Sequence, residues 1–410
     1  MSVSAIRHGA RSENRALILR TLLRHGALAR IALARLTGLT PAAISHITRE
    51  LIDAGLLCEV GRYRGEGRGA DAILLDLPEQ APLIGVAHQG VSALRIGLCN
   101  LRGQLLTKTV IATPERYSPA WAATTIAETL ARQLRDGGYA PDAMVAVGAG
   151  LVGLIDTERG VVKRAPGLGW EGVALREALV AATNRPVAIE NNVRAMAVGE
   201  ALLGRGRAWS DFALVYVGTG LGAGLIINGA AYHGAHGGAG ELGHITVEPE
   251  GELCSCGNRG CLETVAAEPA IVRRARTQGV ELDETLNTKA AVRALVGRAL
   301  AGESRAMEAI SNCGESLGVA LADLANLFNP AQIVLHGVIT EAGPMFLDAV
   351  RRSLEERAFL AADEHIQLAL PTFGDDAGLV GAGAVALARY VLSAGDESYL
   401  SVAAKSEVGA

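Results

Sequence analysis

Aromatic side chains are scarce in this 410-residue chain: three Trp, seven Tyr and five Phe make up 4% of it. The hydrophobic share is nonetheless an ordinary 50%, so aliphatic and small residues carry it, and 50 glycines add to the small ones. Helices and sheets of this composition pack closely on small side chains instead of around large rings. Lysine is missing from residues 1–75, which hold eleven arginines against six acidic residues. That head carries net +5, which leaves −10 on the remainder of a chain whose total is −5. A basic head on an acidic body points to an anionic partner for the head, nucleic acid first. A solvated basic helix face is the plainer explanation of the charge taken alone.

Cysteine is scarce too. Six in a chain of this length do not form a disulfide framework. Cys58, Cys99 and Cys313 stand singly in apolar surroundings and read as buried packing residues. The N-terminal stretch is polar and Arg-bearing, without the apolar core of a signal peptide, and a cytoplasmic location is expected. Residues 212–240 lack Asp, Glu, Lys and Arg, but they are broken by glycines and hold Asn228, His233 and His236. They read as a buried β-hairpin and not as a membrane span, and no membrane partner is expected. The length exceeds one compact core, so two or three domains are expected.

The head has a legible order. In "NRALILRTLLRHG", Asn14 is placed to cap a helix whose apolar face is Ile18, Leu19, Leu22 and Leu23, and Gly26 ends it. A short helix, "RIALARLTG", stops at Gly38. The next begins with Thr40 as N-cap and Pro41 at its first position. Ile44, Ile47 and Leu51 then face inward, which turns Ala42, Ser45, His46 and Arg49 outward. This is the pattern of a helix-turn-helix, whose last helix enters a major groove through small and polar residues. "LLCEVGRYRGEGRGADAILLDL" follows as strand, Arg/Gly tip and returning strand: a wing, with Arg62, Arg64 and Arg68 in reach of phosphates or the minor groove. A three-helix protein-interaction module is the alternative; turn, cap, wing and charge together favour DNA.

From about residue 82 strands alternate with helices. "LIGVAHQGVSALRIGLCNLRGQLLTKTVIA" reads as three strands, "PAWAATTIAETLARQLRDGG" as an amphipathic helix, and "DAMVAVGAGLVGLID" as a buried strand running into a glycine loop. "DFALVYVGTGLGAGLIINGAAYHG" repeats the strand–turn–strand theme, which points to a two-lobed α/β protein with a ligand cleft. Gly218–Gly224 superficially fits a dinucleotide fingerprint, but a strand and not a helix follows, which excludes a Rossmann site. Two roles remain open for these glycines: approach to a phosphate through backbone N–H groups, or steric fit alone.

"ELGHITVEPEGELCSCGNRGCLE" places Cys254, Cys256 and Cys261 within eight positions, ten residues after His244. One imidazole and three thiolates make a closed tetrahedral set suited to one structural zinc ion per chain. Gly257 and Gly260 let the chain turn around it. The ion would hold Glu241 and Glu263 near each other, two acceptors suited to sugar hydroxyls.

These residues resemble the ROK family of transcriptional regulators, which join winged-helix repressors to sugar-kinase-like domains. The likeness covers about residues 12–392. It is carried by "GAGELGHITVEPEGELCSCGNRGCLETVA", "IENNVRAMAVGE", "RAPGLGW" and "LARLTGLTPAAISHITRELIDAGLL". The resemblance implies a winged helix-turn-helix over 1–78 and an actin-like, ribonuclease H-like fold beyond it. The first lobe would take 79–195, completed by a helix at about 378–392, and the second lobe, with the zinc loop, 196–377. Residues 393–410 would be a flexible tail. It implies a homodimer or homotetramer on double-stranded operator DNA, with a sugar or sugar derivative as effector. It matches His244, Cys254, Cys256 and Cys261 to zinc ligands and Asn191, Asn192, Glu241, His244 and Glu263 to the sugar site, His244 serving both through its two ring nitrogens.

The chain departs from the family's kinases at the places that do chemistry. Their DxGGT loop reads "GVAHQGVSALRIG" here, with Ala87 for the aspartate. Their catalytic END motif reads "IENN", with Asn192 for the base, and an amide cannot take a proton from a sugar hydroxyl. A later glycine pair reads His336-Gly337-Val338, and Gly167 stands where "PNLGW" has Asn. The expectation is a non-catalytic, sugar-responsive repressor of carbohydrate-utilisation genes. A sugar kinase with an appended head, or a scaffold whose head binds protein, are the alternatives.

Overall fold

The structure is a computed structural model that describes residues 3–63, 72–90, 92–359 and 366–393, with side chains from Arg11 onward. It falls into two compact units, residues 1–192 with 378–410, and residues 193–377.

The first unit begins with the head: α1 (Val3–His25), β1 (Leu28–Ala29), α2 (Arg30–Thr37), α3 (Pro41–Asp53), β2 (Cys58–Tyr63) and β3 (Ala72–Asp76). Ile18, Leu19 and Leu22 of α1, Leu33 of α2 and Ile44, Ile47 and Leu51 of α3 are buried. α2 ends where Gly38 takes a left-handed turn, φ 71°, and returns its N–H to the Ala34 carbonyl. Thr40 caps α3 by accepting the Ala43 N–H at 3.2 Å. β1, β3 and β2 form an antiparallel sheet in that order. The wing tip that carries Arg64 and Arg68 lies outside the described residues.

One expectation fails here. α1 does not start at Asn14 but runs through it from Val3. No proline interrupts the preceding residues, and Arg11 and Arg15, one turn apart, both pair with Glu50 of α3. Charge pairing to a neighbouring helix outweighs the local capping preference of Asn14.

The rest of this unit is β4 (Leu83–Gln89), β5 (Ala93–Asn100), β6 (Leu105–Ala112), α4 (Pro119–Asp136), β7 (Met144–Leu151), β8 (Leu154–Asp156), β9 (Val161–Ala165), β10 (Trp170–Val173), α5 (Leu175–Thr183) and β11 (Val187–Asn191). Its main sheet has the order β11-β7-β4-β5-β6. β4, β5 and β6 are antiparallel; β7 is parallel to β4 and β11 to β7.

The second unit contains α6 (Asn192–Leu203), β12 (Phe212–Val217), β13 (Leu221–Ile227), β14 (Ala230–Ala231), α7 (Glu263–Ala266), α8 (Glu268–Thr277), α9 (Thr288–Leu300), α10 (Ser304–Phe328), β15 (Gln332–His336), α11 (Pro344–Glu355) and β16 (Gln367–Ala369). Its sheet has the order β14-β13-β12-β15-β16, with β15 parallel to β12 and β16 to β15. Taken in chain order, the five strands of each lobe occupy the same places: three in an antiparallel meander, the fourth beside the first, the fifth outside the fourth. This duplicated sheet is the actin-like, ribonuclease H-like pattern.

α12 (Ala377–Ala386) and a following π turn (Leu387–Val391) return the chain to the first unit. Small residues make the close packing there: Gly148 of β7 lies so near the Ala382 carbonyl that a Cβ would not fit. Gly314 and Gly318 of α10 do the same for α11, against Phe346 and Val350. Cys99 and Cys313 are buried as expected, but Cys58, on the edge strand β2, is only half-buried, its thiol 3.6 Å from the Asp76 carbonyl of β3. No described helix is long and apolar enough to cross a membrane.

Candidate metal centre, effector residues and nucleic-acid interface

After β14 the second unit has little regular structure until α7, and glycine turns set its path. Gly260, φ 65°, has no room for a Cβ against the Glu248 carbonyl, and its own carbonyl accepts the N–H groups of Val247 and Glu248. Bridges from Thr246 to Cys261 and from Leu253 to Arg259 close the loop. The result brings four ligand atoms within 4.8 Å of one another, those of His244, Cys254, Cys256 and Cys261. His244 Nδ1 lies 3.6 Å from Cys254 Sγ, and Cys256 Sγ lies 3.6 Å from Cys261 Sγ. A tetrahedral ion with metal–sulfur bonds of about 2.3 Å requires ligand separations of about 3.5–3.8 Å. Donor chemistry and spacing therefore fit a tetrahedral soft-ligand ion.

The expected effector residues fall in both units. Glu241 precedes the short turn Leu242–His244, and the His244 N–H donates back to its carbonyl at 3.0 Å. The Glu241 side chain is open to solvent, yet protein crowding pushes its carboxyl above the usual range. His244 and Arg194 oppose that rise, and the nearby Glu263 carboxylate adds to it. Glu263 was expected to be a sugar acceptor. One of its oxygens is already engaged, accepting the Leu221 N–H at 3.1 Å. Asn191 ends β11 and donates its Nδ2 hydrogen to the Gly153 carbonyl at 3.0 Å. Asn192 opens α6. The sequence reading missed Arg194. It is buried in α6 and donates to the Ala239 and Gly237 carbonyls at 3.3 and 3.2 Å, which holds the glycine loop just ahead of Glu241.

Among the glycines at 218–224, Gly224 has a steric reason. β12 and β13 form a hairpin, with no helix after the turn. A Cβ on Gly224 would stand 2.7 Å from the Ala197 Cβ and 2.8 Å from the Val193 carbonyl of α6. At the turn, the Leu221 amide serves Glu263, the Gly218 amide donates to Gly220, and Glu268 N–H donates to the Gly218 carbonyl. A phosphate approaching there would meet the Glu263 carboxylate.

The family resemblance puts the DxGGT position at the end of β4, where Val91 lies outside the described residues. Ala87 is buried, and Gln89, 2% exposed, donates its Nε2 hydrogen to the Tyr117 hydroxyl at 2.9 Å. Tyr117 packs between Trp121 and Trp170, with ring centroids 5.0 and 5.6 Å away, and its carbonyl accepts the Trp170 Nε1–H. Gly167 sits in the turn Pro166–Leu168 with open space at its missing side chain. His336 ends β15 against the Tyr216 ring, and Gly337, φ 144°, passes close to the Val217 carbonyl.

On α3, Ala42, Ser45, His46 and Arg49 are exposed, as the helical spacing requires. Ser45 turns its hydroxyl hydrogen back to the Pro41 carbonyl at 2.8 Å and so offers lone pairs outward. His46 Nε2 lies 3.1 Å from Glu50 Oε1. Arg62 is exposed on β2.

Two lobes of one repeated sheet topology, a four-residue soft-metal cluster and a winged helix-turn-helix head define a sugar-kinase-like body with an added head. The chain belongs to the ROK family, whose profile it matches over residues 84–389. It is 30% identical over 379 residues to the xylose repressor of Caldicellulosiruptor bescii, an alignment that covers 90% of this chain and 94% of that one. It is 32% identical over 303 residues to a glucokinase of Halalkalibacterium halodurans, covering 72% of this chain and 92% of that one. A solved structure of a ROK family transcriptional regulator, a homologue of the Escherichia coli Mlc protein, superposes with TM-score 0.79 and 28% identity over 97% of this chain and 98% of that one. The regulators match nearly the whole chain, the glucokinase about three quarters of it.

Proposed function

We propose that this chain is a sugar-responsive, DNA-binding transcriptional regulator, a repressor of carbohydrate-utilisation genes, whose kinase-like body binds its sugar without phosphorylating it. One observation carries the reading. A capped α3 presents Ala42, Ser45, His46 and Arg49 to solvent in a winged head, on the same chain as a kinase-like lobe in which Ala87 and Gln89 are buried at the end of β4. The regulators among the relatives span the head as well as the body.

The head binds double-stranded operator DNA as a homodimer or homotetramer. Ala42, Ser45 and His46 lie nearest the bases, Thr40 at the start of the same helix is a further DNA contact, and Arg49, Arg62, Arg64 and Arg68 serve the phosphates or minor groove. One zinc ion per chain, held by His244, Cys254, Cys256 and Cys261, braces the loop and supplies no chemistry. With His244 Nδ1 turned to the thiols, its Nε2 is available to a sugar hydroxyl. Glu241 and the second oxygen of Glu263 accept further hydroxyls, and Asn191 and Asn192 stay proposed contacts on the strength of the family motif. An amide at 192 binds but does not deprotonate. Occupancy alters DNA affinity only as far as the sugar prefers one state of the protein over the other. The setting of such a regulator is the cytoplasm.

Footprinting on DNA with and without a panel of sugars tests the proposal. Protection that a sugar changes is the expected result; no protected site under any condition contradicts it. The second reading, a sugar kinase with an appended head, is favoured by the 32% identity to a glucokinase. A coupled assay over the same panel separates the two.

A further inference from the structure

We infer that His46 reads one base of each half-site as a hydrogen-bond acceptor, because Glu50 fixes which of its ring nitrogens carries the proton. The inference rests on the DNA-binding reading of the head and adds to it the chemistry of one contact.

Three observations carry it. His46 is the more open partner of the pair, its side chain 66% exposed against 18% for Glu50. Its Nε2 stands 3.1 Å from Glu50 Oε1. The same carboxylate is held from behind: Arg15 Nη2 donates to Oε2 at 2.9 Å, and Arg11 donates to Oε1. Both arginines come from α1. An ordinary His–Glu pair on a helix surface is loose and orients nothing, since both side chains are free to turn. Here one partner is pinned by two guanidinium groups across a helix interface, so the carboxylate cannot turn away.

The proton assignment follows from the donor inventory. A carboxylate clamped by two guanidinium groups is ionised and only accepts. Burial works against that charge, yet the two guanidinium groups win and hold the Glu50 carboxyl below its usual range. In its neutral form His46 therefore carries its proton on Nε2, pointing at Glu50. Nδ1 of that tautomer then offers a lone pair on the exposed side of the helix. Of the other charged groups near this face, Arg49 points outward, and Arg30 is committed to the Thr48 hydroxyl at 3.1 Å, with Glu59 at 3.7 Å.

An acceptor in the major groove has few partners. The donors there are the N4 amino group of cytosine and the N6 amino group of adenine, while guanine shows only the acceptors N7 and O6. His46 thus selects an amino group, through one hydrogen bond. Glu50 is the positioning residue, and Arg11 and Arg15 act through it.

The test uses the full-length protein and a random double-stranded DNA library, with the bound pool sequenced for the parent, His46→Ala and Glu50→Gln. The expected result is a preference at one base pair per half-site that His46→Ala erases while the other positions keep theirs. At that pair, replacing the base by its analogue without the amino group should weaken the parent about three- to tenfold, the scale of one hydrogen bond, and leave His46→Ala unchanged. Glu50→Gln should reduce this discrimination, since an amide orients either nitrogen of the ring. Should Glu50→Gln fail to fold, the analogue comparison on the parent and His46→Ala still decides. Identical pools for parent and His46→Ala overturn the inference. So does sensitivity to removal of guanine N7 in place of the amino group. If the parent enriches no sequence at all, the DNA-binding reading itself fails, which is a different outcome from an unchanged pool.

Discussion

Arg20 of α1 donates its Nη2 hydrogen to the Leu392 carbonyl at 2.7 Å, joining positions 372 residues apart. A guanidinium here closes the last turn of the final described helical segment, where carbonyls lack partners of their own. A second tie lies at the other end of the head: Arg102, after β5, pairs with Asp76 at the end of β3, and Asn100 donates to the Glu79 carbonyl at 3.1 Å. The head is therefore fastened to the first lobe by groups at both ends of its chain. Arg20→Ala combined with Arg102→Ala should leave DNA and sugar affinities within about twofold, while shrinking the effect of sugar on DNA affinity severalfold. Operator titrations with and without sugar check this. Unchanged coupling would mean that the ties only stabilise.

The metal cluster has a separate consequence. Stripping the ion should lower the melting temperature and the sugar affinity together, because metal binding is folding energy for the loop that carries Glu241 and Glu263. Metal analysis of carefully prepared protein should give one zinc per chain, and Cys256→Ser less. A full zinc count in Cys256→Ser would remove that thiol from the site.

Acid should loosen the junction of α1 and α3. The two guanidinium groups outweigh burial and depress the Glu50 carboxyl. A depressed acid stabilises the fold at pH values above its unfolded range, near 4.5, and that contribution is lost as pH falls through the lower folded value. Melting temperature measured from pH 7 to pH 3 should fall with a steeper acid limb in the parent than in Glu50→Gln. Parallel limbs would show that the pair adds nothing.

Placing a carboxylate at 192 should not confer catalysis. Asn192→Asp supplies a base, but the chain still lacks the aspartate and paired glycines of a DxGGT sequence, with Ala87 and Gln89 at the end of β4. A coupled hexose assay should read background for both proteins. Turnover by the parent that Asn192→Ala abolishes would instead support the kinase reading.

A packing prediction follows from the hairpin. Gly224→Val places carbon atoms against the Val193 carbonyl and Ala197 of α6. It should destabilise the second unit by about 1–3 kcal/mol or more, as overpacking does. A melting temperature equal to that of the parent would show that α6 yields there.

How much of this was legible depends on the range of the forces involved. α3 could be read from Thr40, Pro41 and the spacing of Ile44, Ile47 and Leu51, because cap, helix start and buried face are all local. The metal cluster could be read because three cysteines and one histidine bring their chemistry within a short span. What escaped depends on partners far along the chain. α1 passes Asn14 because Arg11 and Arg15 meet Glu50. Glu263 spends one oxygen on Leu221, 42 residues away. Arg194 in "NNVRAM" looks like an ordinary surface helix charge until Gly237 and Ala239 surround it. The shared strand order of the two lobes was only half visible, since each hairpin shows locally while its parallel neighbours arrive after long helical crossings.

The central claim is that a sugar acts on this protein as a signal and not as a substrate. Fluorescence titration of the full-length protein onto its selected operator, repeated with each sugar of a library, tests it most directly. The account predicts that at least one sugar shifts the DNA dissociation constant by about tenfold, within the usual range of allosteric coupling, and is recovered chemically unchanged. A dissociation constant that no sugar moves, or recovery of the effective sugar as its phosphate, would contradict it.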